Sequence, residues 1–198
     1  APHHRRPGCL PPHPTMKSHI QPMTQRPIRF EAYPTDHFIK IVKTWIDRPW
    51  PITSKDGRMI FEDLGYSVDS EDREMFASPF AEREPDSYFV ARNGLIDDID
   101  VAVSTVCAGD SMQENAEAIE RTYDAYCEAI SGAYPEALSK RDRTDNAVEW
   151  FFKNDVQIRL SNIGITISFI IHSPRMTQLR REEEEMGLTS YDDILEDD

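Results

Sequence analysis

The feature that most constrains this chain is a two-residue turn, Asn93-Gly94, between two apolar-rich runs at residues 88–92 and 95–106. Both turn residues tolerate the positive φ angles of a type I′ turn, which connects the two strands of a β-hairpin. The turn therefore predicts a pair of antiparallel strands. Alternation in the second strand predicts one face directed toward a core. Its inward residues are Ile99, Val101 and Val103.

Three further strands are predicted in the second half of the chain, at residues 147–152, 156–160 and 165–171. The turns between them contain only a few residues. Turns this short require antiparallel neighbours, because a parallel connection needs a long crossover. Together with the hairpin, these strands predict an antiparallel sheet of about five strands.

Four amphipathic segments predict helices around this sheet. Two precede the hairpin, beginning at Thr35 and after Thr53; the longest begins at Asp110 or Ser111, and the last follows Ser173. Helices inserted among hairpin-connected strands are typical of the α+β class. We therefore predict an α+β fold with two N-terminal helices, a long helix packed on one face of the sheet, and a C-terminal helix.

The composition changes abruptly near Phe30. Residues 1–30 contain no acidic residue but hold seven of the 14 prolines and four of the six histidines. Such a segment cannot bury enough apolar surface to offset its chain entropy, so we predict a disordered basic tail there. Residues 31–187 are predicted to form one α+β domain, and residues 188–198 an acidic tail with a short helix. Because Met16 is the first methionine, residues 1–15 are interpreted as an upstream extension.

The charge of the chain excludes several classes of partner. With 36 acidic and 22 basic residues, its formal charge is −14, which repels phosphate and argues against nucleic acid as a partner. No apolar run approaches the roughly 18–20 residues that a spanning helix needs. The odd number of cysteines, three, argues against a disulfide framework and predicts a cytoplasmic protein.

The chain lacks the motifs of nucleotide-binding proteins, zinc proteases and serine hydrolases, so we predict no cofactor and no catalytic activity. Cys107 and His172 each end a strand and could meet at one edge of the sheet, which leaves a small cysteine-dependent enzyme open. Asp98 and Asp100 share one strand face and could share a divalent cation. A solvated acidic pair is the ordinary interpretation, and we predict no metal site.

The long helix carries acidic residues opposite its apolar stripe, interrupted only by Arg121. Like charges at this spacing slightly destabilise a helix, and ordinary solvation explains them adequately. The functional interpretation is that their field steers a basic partner protein toward the surface. The predicted partner-binding residues are Asp98, Asp100, Glu114, Glu117, Asp124 and Glu128.

Several short hydrophobic and turn motifs are distributed along residues 36–187. They are Phe38-Ile39-x-Ile41-Val42-x-x-Trp45, Trp50-Pro51-Ile52-Thr53, Leu64-Gly65-Tyr66, the Asp98–Thr105 strand, Tyr134-Pro135 and Glu149-Trp150-Phe151. This pattern resembles a family of uncharacterised actinobacterial proteins that are small, acidic and cytoplasmic, and that are often encoded beside secreted polymorphic toxins or type VII secretion components. The motifs describe the fold and carry no catalytic residue.

The resemblance implies a non-enzymatic protein-binding protein. The first choice is an immunity protein that covers the active site of a secreted toxin with an acidic surface. The alternative is an export chaperone, which would bind a longer, more apolar segment of a secreted effector and is expected to form a homodimer. A small cysteine-dependent enzyme is the second alternative.

Overall fold

The computed structural model describes residues 28–187. Most of the predicted basic tail and the whole acidic tail therefore lie outside the described residues. Among residues 28–187, no helix is both long and apolar enough to cross a membrane. The helices are α1 (Thr35–Ile46), α2 (Ser54–Asp63), α3 (Ser111–Ala133) and α4 (Pro174–Glu185). The strands are β1 (Ser67–Val68), β2 (Met75–Ala77), β3 (Ser87–Arg92), β4 (Leu95–Asp100), β5 (Leu138–Asp142), β6 (Ala147–Phe151), β7 (Gln157–Asn162) and β8 (Ile167–His172).

The strands form one antiparallel sheet that consists of two meanders. The strand order is β1-β2-β3-β4-β8-β7-β6-β5, so each meander contains four consecutive strands. Strand β4 pairs with β8 and joins the meanders at the centre of the sheet, for example where Ile99 lies opposite Ile171. Helix α3 makes the long connection from β4 to β5 at the far edge.

The predicted α+β class and the four helices are confirmed, but the prediction of about five strands is wrong, because the sheet has eight. Strands β1 and β2 are two and three residues long, too short for a period of two to be visible. Strand β5 is an edge strand that leaves Leu138 75% exposed and carries charged residues. Edge strands commonly carry such charges. The charges replace the alternating apolar residues by which a strand is recognised in a sequence.

Helices α1 and α3 pack against each other and over one face of the sheet, which we call the helix face. The ring of Phe38 in α1 stacks on Tyr126 in α3, with ring centroids 3.8 Å apart. The same Phe38 ring meets Phe169 of β8 edge to face, at 5.4 Å. All three rings are completely buried. Burial of side chains this large contributes about 1.5–3 kcal/mol each, so this contact fixes both helices over the centre of the sheet.

The first described residues of the chain are bonded to the start of α3. The backbone N–H of Ile28 donates to Oγ of Ser111, and the N–H of Phe30 donates to Oδ1 of Asn115, each over 2.9 Å. The Asn115 amide in turn donates to the carbonyls of Ile28 and Ser111. A buried asparagine therefore holds residues 28–30 against the first turn of α3.

Substitution of Asn115 by Ala should destabilise the protein by about 2–3 kcal/mol, because the change removes hydrogen bonds to three backbone groups and leaves some of those groups unpaired. Urea denaturation measures the loss, and limited proteolysis should reveal cleavage near residues 28–33. Gln113→Ala, on the exposed side of the same helix turn, is the matched control. Equal stability of the two variants would contradict the proposed role of Asn115.

Candidate functional site

The predicted acidic row lies on the solvent side of α3, the longest helix of the described chain. The opposite side of the helix is buried through Ile119, Tyr123, Tyr126 and Ile130. This spacing of three and four residues places the apolar stripe in the core and leaves the acidic residues in water. Asp110, one of the two predicted starting residues, makes no side-chain hydrogen bond to the helix, and Asn115 is buried on the core-facing side.

The structure places the four acidic residues predicted on α3 on its exposed surface. They are Glu114, Glu117, Asp124 and Glu128, and we call this set the α3 acidic row. Glu117 accepts a hydrogen bond from Arg121 over 2.8 Å, an exposed pair that contributes little. Within residues 28–187, no other member of the row forms a salt bridge. Glu120 was not among the predicted residues, although it lies three positions after Glu117; it flanks the row and accepts a hydrogen bond from the Asn162 amide.

The structure places Asp98 and Asp100 on the opposite side of the molecule. Between them in β4, Ile99 points into the core beneath the helices, so the two carboxylates lie on the other face of the sheet. We call this side the open face. One flat partner surface cannot contact the open face and the α3 acidic row together. The six predicted residues therefore belong to two separate surfaces.

Asp98 is paired with a histidine on the open face. Its Oδ1 lies 2.5 Å from Nδ1 of His172, which occupies the directly opposed position in β8. The histidine side chain is almost completely buried, whereas that of Asp98 is 29% exposed. A close neighbour of opposite charge reduces the field that Asp98 projects toward a distant partner whenever His172 is protonated.

Asp100 lies next to this pair but accepts no hydrogen bond within the described residues. Burial raises the pKa of its carboxyl to about 6, and the nearby charge of Asp86 contributes in the same direction. Desolvation disfavours the charged form of an acid, and a second negative charge adds repulsion. Asp100 is therefore only partly charged in mildly acidic solution and is a weak anchor for a basic partner.

Asp97, the third acid of this strand, has a structural role that the sequence did not indicate. Val90 lies opposite Asp98 and Ala91 opposite Ile96, so Asp97 is the extra residue of a β-bulge. Its side chain is 4% exposed and accepts a hydrogen bond from Arg175 of α4. The consecutive acids at 97 and 98 interrupt the alternation of β4 and were the only available signal.

The cysteine-based alternative receives no geometric support. The N–H of Cys107 donates to the carbonyl of Ile165, so Cys107 lies beyond the start of β8, whereas His172 ends that strand. From Ile165 to His172 an extended chain advances roughly 20 Å, so thiol and imidazole cannot meet. Burial raises the pKa of the other described thiol, Cys127, to about 11, which makes it a poor nucleophile.

A pocket of about 580 Å³ opens where α1 and α3 end. Its walls include Tyr134 and Phe152, whose rings pack edge to face with centroids 5.0 Å apart. The Tyr134 hydroxyl donates to Oδ1 of Asp47 over 2.9 Å. Lys153 and Glu136 form a salt bridge at the rim. The pocket leaves no signal in the sequence, because its walls come from three distant segments of the chain.

No group of three or more His, Cys, Asp or Glu side chains within residues 28–187 has the geometry to hold a metal ion. Near the predicted pair Asp98 and Asp100, Nδ1 of His172 contacts Asp98 directly.

Replacement of Asp100 by Asn should raise the free energy of unfolding by about 1–3 kcal/mol at pH 8. The pKa of Asp100 is raised on folding, so its ionisation opposes folding at a pH above about 6. This cost disappears as the pH falls toward the unfolded value near 4, because the carboxyl is then protonated in both states. Urea denaturation at pH 4 and pH 8 measures the difference. Asp98→Asn is the control, since it weakens the pair with His172 and should destabilise the fold; a destabilised Asp100→Asn variant at pH 8 would contradict the assignment.

Comparison with known proteins identifies the family but no function. No curated protein and no solved structure matches the chain. The model of a family of unknown function, DUF6301, matches residues 36–173, from the start of α1 to the residue that caps α4. This match confirms that the chain resembles an uncharacterised family, while the actinobacterial origin and the neighbouring toxin genes stay predictions. Because the match covers more than half of its length, the chain belongs to DUF6301, a family of unknown function.

Proposed function

We propose that this protein is a non-enzymatic binding protein that presents the α3 acidic row to a basic partner protein. The observation that carries the proposal is the exposure of four acidic side chains along one helix, with Arg121 as the only base within their row. A row of like charges on one helix slightly lowers its stability. A partner with complementary charges would convert this cost into binding free energy.

The packing of α3 supports this proposal because it makes the acidic row a preformed surface. Tyr123 and Tyr126 are buried on the opposite side of the helix, and Tyr126 donates a 2.5 Å hydrogen bond to the carbonyl of Tyr33. A helix held in this way loses little conformational freedom when a partner binds. Association is then opposed mainly by the ordering of the acidic side chains themselves.

The partner that fits best is a secreted toxin, which makes the protein an immunity protein. Toxins that act on nucleic acids or phosphate-bearing cofactors need basic clefts, and an acidic helix can occupy such a cleft in place of the substrate. The charge of −14 would also attract such a partner from a distance. In this proposal the protein acts in the cytoplasm of an actinobacterial cell and is encoded beside the polymorphic toxin or type VII secretion genes.

A second candidate function is an export chaperone, and the open face is the observation that favours it. Tyr88 and Val90 of β3 are 39% and 47% exposed there, beside Asp98 and Asp100. Apolar side chains exposed next to carboxylates suit an amphipathic segment of a client protein. Tyr88→Ser with Val90→Ser should then abolish protection of the client against proteolysis, whereas an immunity protein should retain toxin binding.

Charge reversal of the α3 acidic row tests the first proposal. Glu117→Lys with Asp124→Lys should weaken binding to the toxin encoded by the neighbouring gene by about tenfold or more, and should reduce the salt dependence of the dissociation constant. Biolayer interferometry at low and high salt measures both quantities. In a bacterial host that produces the toxin, the wild-type protein should restore growth and the variant should not.

The matched control is Glu62→Lys with Asp63→Lys, which changes the net charge equally but on the exposed end of α2. This variant should lose affinity only slightly, because its charges lie outside the proposed contact. An equal loss in both variants would show that total charge matters and that the α3 acidic row is not the contact. Absence of any binding to the products of the neighbouring genes would refute the immunity proposal.

A further inference from the structure

We infer that the pocket between the ends of α1 and α3 binds an arginine side chain of the partner protein. This inference rests on the proposed function in one respect, that the ligand belongs to the partner and reaches the pocket along the α3 acidic row. The pocket itself, its walls and its charges are independent of that proposal.

The pocket combines apolar walls with acidic groups, which is the combination that an arginine side chain requires. Its lining includes the apolar side chains of Ile46 and Ala137 and the nearly buried ring of Phe152. Tyr134 supplies a second aromatic ring, and Asp47 and Glu136 supply two carboxylates. An arginine side chain packs its methylene groups on apolar surface, stacks its planar guanidinium on an aromatic ring and pairs with carboxylates.

The direction of the two helices makes the pocket more negative. Helix α1 ends at Ile46 and α3 at Ala133, and both residues line the pocket. Phe38 and Tyr126 stack about two turns before these ends, so the helices run in the same direction. Each helix places roughly half a negative charge at its C-terminus, and in parallel helices these partial charges add.

Asp47 is positioned for such a ligand by Tyr134. The phenol donates to one carboxylate oxygen, Oδ1, over 2.9 Å, which leaves Oδ2 for a second donor. Burial raises the pKa of Tyr134, and the hydrogen bond to Asp47 adds to the effect, so the phenol keeps its proton. Lys43 and Arg48 are close to Asp47 along the chain but do not line the pocket.

Lys153 is the one base among the residues that line the pocket, and it would compete with the ligand. Its ammonium group lies 2.5 Å from Oε2 of Glu136, and both side chains are mostly exposed. An exposed salt bridge of this kind is weak, so an incoming guanidinium can displace it. Removal of the Lys153 charge should therefore strengthen binding of a cation, whereas it would not affect binding of an uncharged ligand.

The position of the pocket continues the α3 acidic row. Glu128 is the last acid of the row, and the helix ends at Ala133, roughly 7.5 Å further along its axis. The next position at the same spacing is Gly132, and the residues that follow it, Ala133 and Pro135, line the pocket. A basic segment that follows the row would thus reach the pocket at its end.

N-acetyl-arginine amide is the probe for this inference, and N-acetyl-citrulline amide is its uncharged counterpart of the same shape. Titration of the full chain, followed by amide NMR shifts, should give saturable changes at Asp47, Tyr134 and Asn154 with the arginine probe. The citrulline probe should bind at least about fivefold more weakly, because it lacks the charge that the carboxylates recognise.

Two substitutions with opposite expected effects complete the test. Asp47→Asn, which keeps an oxygen for the Tyr134 hydrogen bond, should weaken the arginine probe by about threefold or more, and Lys153→Gln should strengthen it by about twofold. Asp36→Asn and Lys140→Gln make the same charge changes away from the pocket and should leave the affinity unchanged. Thermal unfolding verifies that each variant is folded.

The inference is overturned if the arginine probe causes no saturable shifts, if citrulline binds equally well, or if Lys153→Gln behaves like Lys140→Gln. These outcomes leave the proposed function intact when the α3 charge reversal still weakens toxin binding. Conversely, a positive probe titration without any toxin partner would refute the proposed function and retain the pocket.

Discussion

The pairing of β4 with β8 is the constraint on which the rest of the structure depends. Each meander alone would end in an unpaired strand and would leave Ile99 or Ile171, both completely buried at this junction, beside an open edge. An exposed apolar edge promotes association with other chains. The pairing closes both edges at once, and Phe38 covers it from the helix face through its contact with Phe169. Helix α3 must then cross half of the sheet to reach β5 at the far edge.

This arrangement divides the acidic charge of the molecule between two faces with different environments. On the open face, Asp98 is paired with His172, and Arg159 of β7 forms salt bridges with Asp142, Asp145 and Glu149. The α3 acidic row has only the exposed contact with Arg121 within the described residues. Each of these open-face carboxylates contacts a nitrogen base, whereas three of the four carboxylates in the α3 acidic row contact none among the described residues. The field of the row is therefore the less reduced by its neighbours, and the helix face is the better candidate for attracting a basic partner.

The parallel direction of α1 and α3 connects this charged surface with the pocket at its end. Antiparallel helices would place one positive and one negative end at each side of the layer, and their partial charges would cancel. In this fold the connection through α2 and the first meander returns the chain so that both helices point the same way. Two helix ends, two carboxylates and two aromatic rings then share one pocket, although Asp47 and Phe152 are far apart in the sequence.

The sequence by itself determined the local elements, because hydrophobic period, caps and turn residues are encoded within a few neighbouring positions. The Asn93-Gly94 hairpin, the buried stripe of α1 and the exposed acids of α3 all follow from such patterns. Only the tertiary structure decided which faces these elements share. It placed Asp98 and Asp100 opposite the α3 acidic row, separated Cys107 from His172, and buried Asp97 in a bulge against Arg175. It also created strand β5, whose residues carry no strand pattern and pair only because β6 presents free backbone groups beside them. Those relations depend on strand order and helix direction, which are set by long-range packing and leave no signal in any short segment of the chain.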